Sequence, residues 1–275
     1  MGSPAFFSNH LLPHTEAWVV QTEILKVSIY NTPLPSGQYV GYINALIAGL
    51  IADGNWQILD RMWIFTTEQQ QHAWLTIVNP TGLNKAWPGY ITEVNMSSRW
   101  STSGYNTDGG ASEYLDTGYS PSNNATHYAG SNCSFGFYCA TNNTPTGQLM
   151  GCYGGGGNYA LILPVSSTGH SVWAANDSTQ STGTNSYSSS IGLWAAGRNS
   201  SNTHAQKWLN GASPPEIGGY PLNGVPTETM YIGTLNNSGS PLGGANVTIA
   251  MAFTGSGSIN QLNLYSRINT FLMEI

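Results

Sequence analysis

Apolar positions along the chain follow two different spacings, and each spacing predicts a different kind of element. Residues 41–53 repeat apolar side chains on one helix face, and Gly54 follows as a stop signal. The side chains on that face are Tyr42, Ile43, Leu46, Ile47 and Leu50. A terminal helix is predicted over residues 258–273, with Ser258 as its N-cap. We therefore expect two amphipathic helices, one near each end of the chain.

Between these helices, short apolar runs alternate with clusters of Gly, Pro, Asn and Ser, as strands alternate with turns. Residues 56–65 predict the first strand, and residues 68–74 predict a short helix after it. Asn210-Gly211 predicts a tight turn directly after a strand. The other predicted strands cover residues 113–116, 134–140, 160–163, 171–174, 191–197, 204–209, 230–235 and 246–254. Many short strands with turns between them are typical of a β-sandwich.

The first 40 residues stand apart from this pattern. Residues 17–30 are strand-like, and the breaker-rich stretch 31–37 closes them off. We interpret residues 1–40 as an N-terminal leader that serves as an assembly arm, and residues 41–275 as a sandwich domain that includes both helices. A leader strand that belongs to the same domain is an equally open alternative.

Charge is scarce in this chain, and that limits its partners. Only 7% of the residues are charged, against about 25% in an average soluble domain. The formal net charge is −6, and nucleic-acid binding needs a basic patch, so we expect no nucleic-acid partner. No apolar run reaches the roughly 18 residues that span a bilayer, and no polybasic segment is present. We therefore expect no membrane partner either.

Residues 104–118, with the sequence GYNTDGGASEYLDTG, resemble the opening strands of a concanavalin A-like, laminin-G-like jelly roll. Together with the helix before them, the WLNG stretch at 208–211, the strand at 247–253 and the terminal helix, they make residues 38–275 similar to laminin-G-like domains of bacteriophage structural proteins. The resemblance implies a mainly all-β fold. We expect a β-sandwich jelly roll with an N-terminal strand and helix leader and a C-terminal helix.

The same resemblance implies a virion subunit, as a capsid decoration, a head fibre or a tail fibre. The leader is then expected to bind other virion subunits, and the sandwich to bind host or environmental glycans. Homo-oligomerisation is expected because multivalency strengthens weak sugar binding. The N-terminus lacks the charged and apolar regions of a signal peptide, which fits a protein made in the host cytoplasm and released by lysis into extracellular surroundings. A secreted lectin whose signal peptide has been removed is the alternative.

Enzymes of this superfamily carry Glu-x-Asp-x-x-Glu on one strand, which places the acids on one sheet face. This chain lacks that string, and the spacing of Glu113 and Asp116 puts the two acids on opposite faces of a strand. We therefore predict that the chain is not an enzyme; a polysaccharide-degrading enzyme of the same fold is the alternative. No cofactor is expected. A Ca²⁺ site has three weak candidates, Asp108, Glu113 and Asp116. The favoured interpretation is simpler and assigns these acids to turns.

Glycan binding needs flat aromatic rings together with polar groups that pair with sugar hydroxyls. Aromatic residues with polar neighbours in the sequence are therefore candidates. For a Trp inside a strand, burial in the core is the competing interpretation. Tyr153 and Tyr187 lie in Gly-rich and Ser-rich stretches, which favours exposure. The glycan-binding candidates are Tyr153, Tyr187, Trp173, Trp194 and Trp100.

Three cysteines, Cys133, Cys139 and Cys152, cannot all pair within one chain. Cys133 and Cys139 bracket a predicted strand, which separates their Cα atoms by about 20 Å, beyond disulfide reach. Cys139 and Cys152 could face each other across a hairpin that turns at residues 143–147, so they are the pair to test. Buried free thiols are the favoured interpretation.

Overall fold

The computed structural model is a two-sheet β-sandwich with two long helices against one of its sheets. It describes residues 35–74, 76–78, 91–95, 99–107, 109–110, 112–142, 147–154, 156–212, 215–218 and 220–275. The strand expected at 17–30, and with it most of the predicted leader, lies outside the described residues.

The described helices are two long ones near the ends of the described chain and two short ones between them. They are α1 Gly37–Ala52, α2 Gln70–Ala73, α3 Pro121–Asn124 and α4 Gln261–Glu274, with a 3₁₀ turn at Trp56–Ile58. Ser36 caps α1, because its Oγ accepts the N–H of Tyr39 at 3.1 Å. Asn260 caps α4 by accepting the N–H of Asn263. The predicted cap at Ser258 is therefore wrong. In the described part of the chain, every helix is too short or too polar to cross a bilayer.

The strands form two sheets whose pairs are antiparallel, apart from one parallel pair between β15 and β7. The first sheet has the order β13-β12-β11-β6-β17-β4-β3, and β1 also pairs with β17. The second sheet has the order β10-β9-β8-β7-β14-β5-β2, with β15 on β7 and β16 on β15. The described strands are β1 Leu59–Ile64, β2 Thr92–Val94, β3 Trp100–Ser101, β4 Gly104–Asn106, β5 Tyr114–Asp116, β6 Asn132–Cys139, β7 Met150–Gly154, β8 Asn158–Leu163, β9 His170–Asp177, β10 Ser181–Ser186, β11 Gly192–Asn199, β12 Ala205–Leu209, β13 Glu216–Gly218, β14 Tyr231–Ile232, β15 Leu235–Asn237, β16 Ser240–Leu242 and β17 Thr248–Gly255.

The main core fills the space between the two sheets. Alternate residues of β6 and β11 point into it, and so do alternate residues of β7, β8 and β9 on the opposite side. Its largest members are Trp63, Phe65, Tyr105, Tyr119, Phe135, Phe137, Trp173 and Trp194. This arrangement confirms the predicted all-β sandwich.

A second core lies between the first sheet and the helical layer formed by α1 and α4. Tyr39 of α1 meets Phe271 of α4 edge to face, with ring centroids 6.3 Å apart. A Cβ at Gly49 would lie 2.6 Å from Cδ of Arg267, so a larger residue there would displace the Arg267 side chain that pairs with Asp53. Strands β1 and β17 are buried on both faces because one face meets each core.

The stretch 104–118 passes from one sheet to the other. Its first part is β4 in the first sheet, and its last part is β5 in the second sheet. The predicted turn at Asn210-Gly211 is also confirmed, since both residues have positive φ angles, 53° and 68°. The strand predicted at 230–235 is wrong as one element. Gly233, with φ 94°, breaks it into β14 and β15.

The cysteines lie in both sheets. Cys139 ends β6 in the first sheet and Cys152 lies in β7 of the second, so the predicted hairpin between them is wrong. Cys133, Cys139 and Cys152 are all free and buried, as the favoured interpretation had it. Burial raises the pKa of Cys133 to about 12 and that of Cys139 to about 11. These thiols therefore stay protonated and act as small core residues.

Candidate functional site

Four tyrosines stand on the outer face of the second sheet, one on each of the neighbouring strands β8, β7, β14 and β5. Side chains alternate between the two faces of a strand, and each of these tyrosines adjoins a residue that belongs to the main core. Those core neighbours are Ala160, Cys152, Ile232 and Leu115. We call the four outward side chains, Tyr114, Tyr153, Tyr159 and Tyr231, the tyrosine face.

The tyrosine face consists of two stacked pairs. Tyr153 and Tyr159 are cross-strand partners whose ring centroids lie 4.2 Å apart, with 23° between the ring planes. The rings of Tyr114 and Tyr231 lie 4.3 Å apart at 21°. Tyr231 is buried, whereas the other three rings are partly exposed. Below the first pair is an apolar floor of Leu161, Ala174 and Leu235. The face is therefore a fixed aromatic surface that solvent can reach.

Hydrogen-bond donors and acceptors meet at the tyrosine face. Burial, a hydrogen bond with Tyr114 and the negative charges of Asp116 and Glu228 raise the pKa of Tyr231 well above its usual value. Burial and the neighbouring phenol of Tyr153 raise the pKa of Tyr159. Both phenols stay protonated at neutral pH and can donate, while the two carboxylates can accept. Sugar hydroxyls need partners of both kinds.

A β-bulge fixes the position of Tyr159. In the pairing of β8 with β9, Tyr159 faces Asp177 and Ala160 faces Ala175, so Asn176 is an extra residue. Asn176 has a φ angle of 62°, which asparagine tolerates better than most residues. Its side chain accepts from the hydroxyl of Tyr128 at 2.8 Å and donates to the carbonyl of Gly130. The bulge is thus held from inside the sandwich.

Three of the predicted glycan-binding residues surround a buried lysine. Lys207 is 1% exposed, and its Nζ lies 4.4 Å from the ring centroid of Tyr187, 5.0 Å from that of Trp173 and 5.7 Å from that of Trp194. Trp173 and Trp194 are core residues at 1% and 0% exposure. Their assignment as sugar platforms is therefore corrected: these rings hold Lys207 through cation–π contacts.

The ammonium group of Lys207 has a full set of partners. It donates to Ser171 Oγ at 2.7 Å, to the Tyr187 hydroxyl at 2.8 Å and to Glu216 Oε2 at 2.5 Å. Desolvation works against ionisation of Glu216, but the bonds from Lys207 and Thr184 outweigh it and lower the pKa of this carboxyl. The cluster joins β12 and β13 of the first sheet to β9 of the second, at one edge of the sandwich.

Replacing Glu216 with glutamine is expected to flatten the acid dependence of stability. Because the pKa of Glu216 is lower in the folded chain than in the unfolded chain, ionisation of this carboxyl stabilises the fold. The full gain is present above the unfolded pKa of about 4.5 and is lost as the pH falls through the folded pKa. We expect Glu216→Gln to be less stable than the original chain at pH 7, with the difference shrinking towards pH 3. Urea unfolding at several pH values measures this. A difference that stays constant with pH would contradict it.

Trp100 lies at the edge of the first sheet, in β3. Its ring is partly exposed and packs against the main core, and its Nε1–H donates to the carbonyl of Phe65 at 3.1 Å. Trp100 therefore lies in the other sheet from the tyrosine face, although its neighbour Arg99 pairs with Glu113 beside Tyr114. Of the five aromatic candidates, only Tyr153 belongs to the tyrosine face.

The three acids proposed for Ca²⁺ have separate surroundings. Asp108 lies outside the described residues. Glu113 pairs with Arg99 at 2.9 Å, and Asp116 accepts the N–H of Gly118 at 2.9 Å, which is a turn role. Among the described residues, no group of three His, Cys, Asp or Glu side chains is arranged to hold a metal ion.

Sequence reasoning missed Tyr114, Tyr159 and Tyr231. All three lie in or beside strands that were predicted, and each is next in sequence to an apolar residue that enters the core. Because side chains alternate between the two faces of a strand, a tyrosine next to a core residue is expected to point outward, and this signal was present in the sequence. The sequence held no signal that β8, β7, β14 and β5 are neighbours, and this adjacency brings the four rings together.

No family model matches the sequence, and no curated protein matches it. Among solved structures, a Trypanosoma rangeli sialidase in complex with 2,3-difluoro-KDN matches with a TM-score of 0.51 and 11% identity. The match covers 86% of this chain and 39% of the sialidase chain. The same sialidase with 2,3-difluorosialic acid, as a covalent intermediate, gives a TM-score of 0.43 at 10% identity over the same shares. Domain 4 of AbnA, a GH43 extracellular arabinanase from Geobacillus stearothermophilus in complex with arabinotriose, gives 0.40 at 12% identity, over 76% of this chain and 98% of that domain.

The first of these matches establishes a likeness of fold, over about two fifths of the length of the sialidase. It also contradicts the prediction that the chain is not an enzyme, because the matched protein is itself an enzyme. The missing Glu-x-Asp-x-x-Glu string is therefore no ground for excluding catalysis.

Proposed function

We propose that the chain is a glycan-binding β-sandwich whose tyrosine face is the sugar-contacting surface. The observation that carries this proposal is the pair of ring stacks on four adjacent strands, with protonated phenols and two carboxylates around them. The likeness of fold to a sialidase supports the general class of ligand.

Physical chemistry favours a sugar over other ligands on this surface. Sugars present C–H faces that pack on aromatic rings and hydroxyls that both donate and accept. An apolar partner would displace water from the phenols and from the carboxylates of Asp116 and Glu228 and offer no hydrogen bonds in return, which costs free energy. An anionic partner would meet these two carboxylates and the repulsion between like charges. A neutral glycan satisfies all of these groups.

The tyrosine rings also suit binding because they are already in place. The stacked neighbours and the apolar floor fix each ring before a ligand arrives, so little side-chain entropy is lost on binding. Many weak sugar contacts then add up along the row of strands.

Tyr153→Ala and Tyr159→Ala are each expected to weaken glycan binding about tenfold, which corresponds to about 1.4 kcal/mol. A glycan array identifies a ligand, and isothermal titration then compares the variants. Tyr153→Phe keeps the ring and removes only the hydroxyl, so we expect it to lose less than Tyr153→Ala. Tyr220→Ala is the matched control, because Tyr220 is an exposed tyrosine outside the tyrosine face.

Equal losses in Tyr153→Ala and Tyr220→Ala would contradict this assignment, and so would the absence of binding to every glycan on the array. Release of reducing ends is measured in the same samples. Release that stops in Asp116→Asn or Glu228→Gln would show that the face also processes the glycan, since these acids adjoin Tyr231.

The finer role, a virion subunit that binds other subunits through residues 1–40 and forms homo-oligomers, stays a prediction of the sequence resemblance. Location in a virion stays a prediction with it. The composition of native particles and the native mass of the chain test these points. A monomer that never associates with particles would contradict them.

A further inference from the structure

The hairpin formed by β15 and β16 extends the tyrosine face with polar side chains. Tyr159 pairs with Tyr153, and Tyr153 pairs with Asn237 of β15. Asn237 in turn pairs with Ser240 of β16. Directly opposed residues place their side chains on one sheet face, and neighbouring strands lie about 4.8 Å apart. The two rings, the amide and the hydroxyl therefore form one row of about 14 Å across the outer face.

The alternation along β15 gives the same outward direction for Asn237. Leu235, two residues earlier, belongs to the apolar floor below the first ring pair. Asn236, between them, is 2% exposed and donates to the carbonyl of Thr229 at 2.8 Å, inside the fold. Asn237 is partly exposed, and its side-chain amide has no hydrogen-bond partner among the described residues. Its donors and its acceptor can therefore serve a ligand.

The hairpin holds Asn237 in a fixed place. Its turn residues, Ser238 and Gly239, have φ angles of 51° and 88°, as in the type I′ turns of two-residue hairpins. The N–H of Gly239 donates to Asn236 Oδ1 at 2.8 Å, and the N–H of Ser238 donates to the carbonyl of Tyr153 at 2.9 Å. The amide of Asn237 thus stands beside the Tyr153 ring before any ligand arrives, which keeps the entropy cost of binding low.

One face of the Tyr153 ring is turned towards the hairpin. The rings of Tyr153 and Tyr159 are nearly parallel, and their separation of 4.2 Å is close to the strand spacing of about 4.8 Å. The two rings therefore stand side by side, with their faces directed along the row. Tyr159 covers one face of Tyr153, and the other face looks towards Asn237. A sugar that packs its C–H face there lies above the hairpin.

The outer face of the hairpin is half polar and half apolar. Leu242 pairs with Leu235, so both side chains lie on the same face as Asn237 and Ser240, two residues further along. Leu242 is 49% exposed, whereas Leu235 below the rings is 1% exposed. A plain sugar hydroxyl can pair with the amide but leaves Leu242 in water. A substituent with a polar part and an apolar end satisfies both halves.

We propose that Tyr153 and this hairpin select N-acetylated sugars, with the acetamido group of the sugar on the hairpin. The proposal rests on the proposed function of the tyrosine face and names its class of ligand. An acetamido group has one N–H and one carbonyl, which match the acceptor and the donors of the Asn237 amide. Its methyl group then contacts Leu242. The group is neutral, so it also avoids repulsion from Asp116 and Glu228.

The test is an NMR titration of the full chain with two trisaccharides of the same linkage and length. They are cellotriose and N,N′,N″-triacetylchitotriose, in which acetamido groups replace one hydroxyl of each ring. The acetylated ligand is expected to bind at least about fivefold more tightly. It is also expected to shift the side-chain amide signals of Asn237 and the methyl signals of Leu242.

Variants locate the source of this preference. Asn237→Ala and Leu242→Ser are each expected to weaken the acetylated ligand about fivefold and cellotriose less, whereas Tyr153→Ala weakens both ligands by a similar factor. Asn106→Ala and Ile217→Ser are the matched controls, because both residues are exposed on the first sheet. We expect the controls to change neither affinity. Circular dichroism verifies that each variant folds.

Equal affinities for the two trisaccharides would overturn this inference, and so would an unchanged preference in both hairpin variants. If Tyr153→Ala still weakened both ligands, glycan binding by the tyrosine face would stand without the selectivity. Failure of both trisaccharides to bind, or binding that Tyr153→Ala leaves unchanged, would overturn the selectivity and count against the tyrosine face itself.

Discussion

Replacing Asp177 with asparagine is expected to lower the free energy of unfolding by about 3–5 kcal/mol. Asp177 and Arg198 form an ion pair whose side chains are both 0% exposed. Burial lowers the pKa of Arg198, but its guanidinium stays charged at neutral pH, so the variant would bury a cation without its counter-charge. Urea unfolding of both proteins at pH 7 measures the loss.

The rest of the Arg198 side chain explains why this loss is large. Its guanidinium also donates to the carbonyls of Ala175, Ser201, His204 and Tyr220. These bonds link the chain between β11 and β14 to strand β9. Their contact in β9, Ala175, is next to Asn176, the bulge residue that positions Tyr159. We therefore expect the variant to exchange amide hydrogens faster in residues 200–222 as well.

Two comparisons separate this effect from a general loss of charge. Asp53→Asn breaks the pair with Arg267, whose side chain is 43% exposed, and is expected to cost at most about 1 kcal/mol. The double variant Asp177→Leu with Arg198→Met is expected to recover part of the loss, because no unpaired charge stays buried. An Asp177→Asn variant no weaker than Asp53→Asn would contradict the interpretation.

Replacing Asp60 with asparagine is expected to cost about 3–5 kcal/mol of unfolding free energy. The carboxylate of Asp60 is buried in β1 and accepts three consecutive backbone N–H groups, those of Thr126, His127 and Tyr128. It also accepts the hydroxyl of Tyr119 at 3.0 Å. Asparagine keeps the volume but turns one acceptor into a donor, which would face donors and leave them without partners.

Tyr119→Phe is the matched comparison for Asp60, since it removes one of these hydrogen bonds and keeps the other three. We expect a cost of about 1–2 kcal/mol. Denaturant unfolding of both variants at pH 7 measures the two losses of unfolding free energy. Equal costs would show that the backbone bonds to Asp60 contribute little.

The tyrosine face lies on the outer side of the second sheet, and the helices α1 and α4 cover the outer side of the first sheet. The buried clusters around Arg198, Lys207 and Asp60 connect the sheets between them.

Much of the secondary structure could be predicted from the sequence. The apolar spacing of α1 and α4 and the turn at Asn210-Gly211 depend on local periodicity and local backbone preference. Strand β10, with the sequence STGTNS, was missed, because its polar residues carry no apolar alternation. Strand β7 was missed because two of its five residues are glycines, so little alternation remains.

The candidate site was much harder to predict. Trp173 and Trp194 looked like sugar platforms because polar residues surround them in sequence, yet both are buried around Lys207. The sequence shows neighbours along one strand, while a ring in a sheet meets residues from adjacent strands. Tyr153 was found because its Gly-rich surroundings indicated exposure, and its partner Tyr159 was not.

By itself, the sequence determined that this is a sandwich of short strands with two amphipathic helices and few charges. Those properties follow from the period of apolar residues and from composition, which act over a few residues at a time. Only the tertiary structure decided which tyrosines share a face and which charges are buried in pairs. These depend on the order of strands and the packing of layers, which bring together residues more than 100 positions apart, such as Tyr114 and Tyr231.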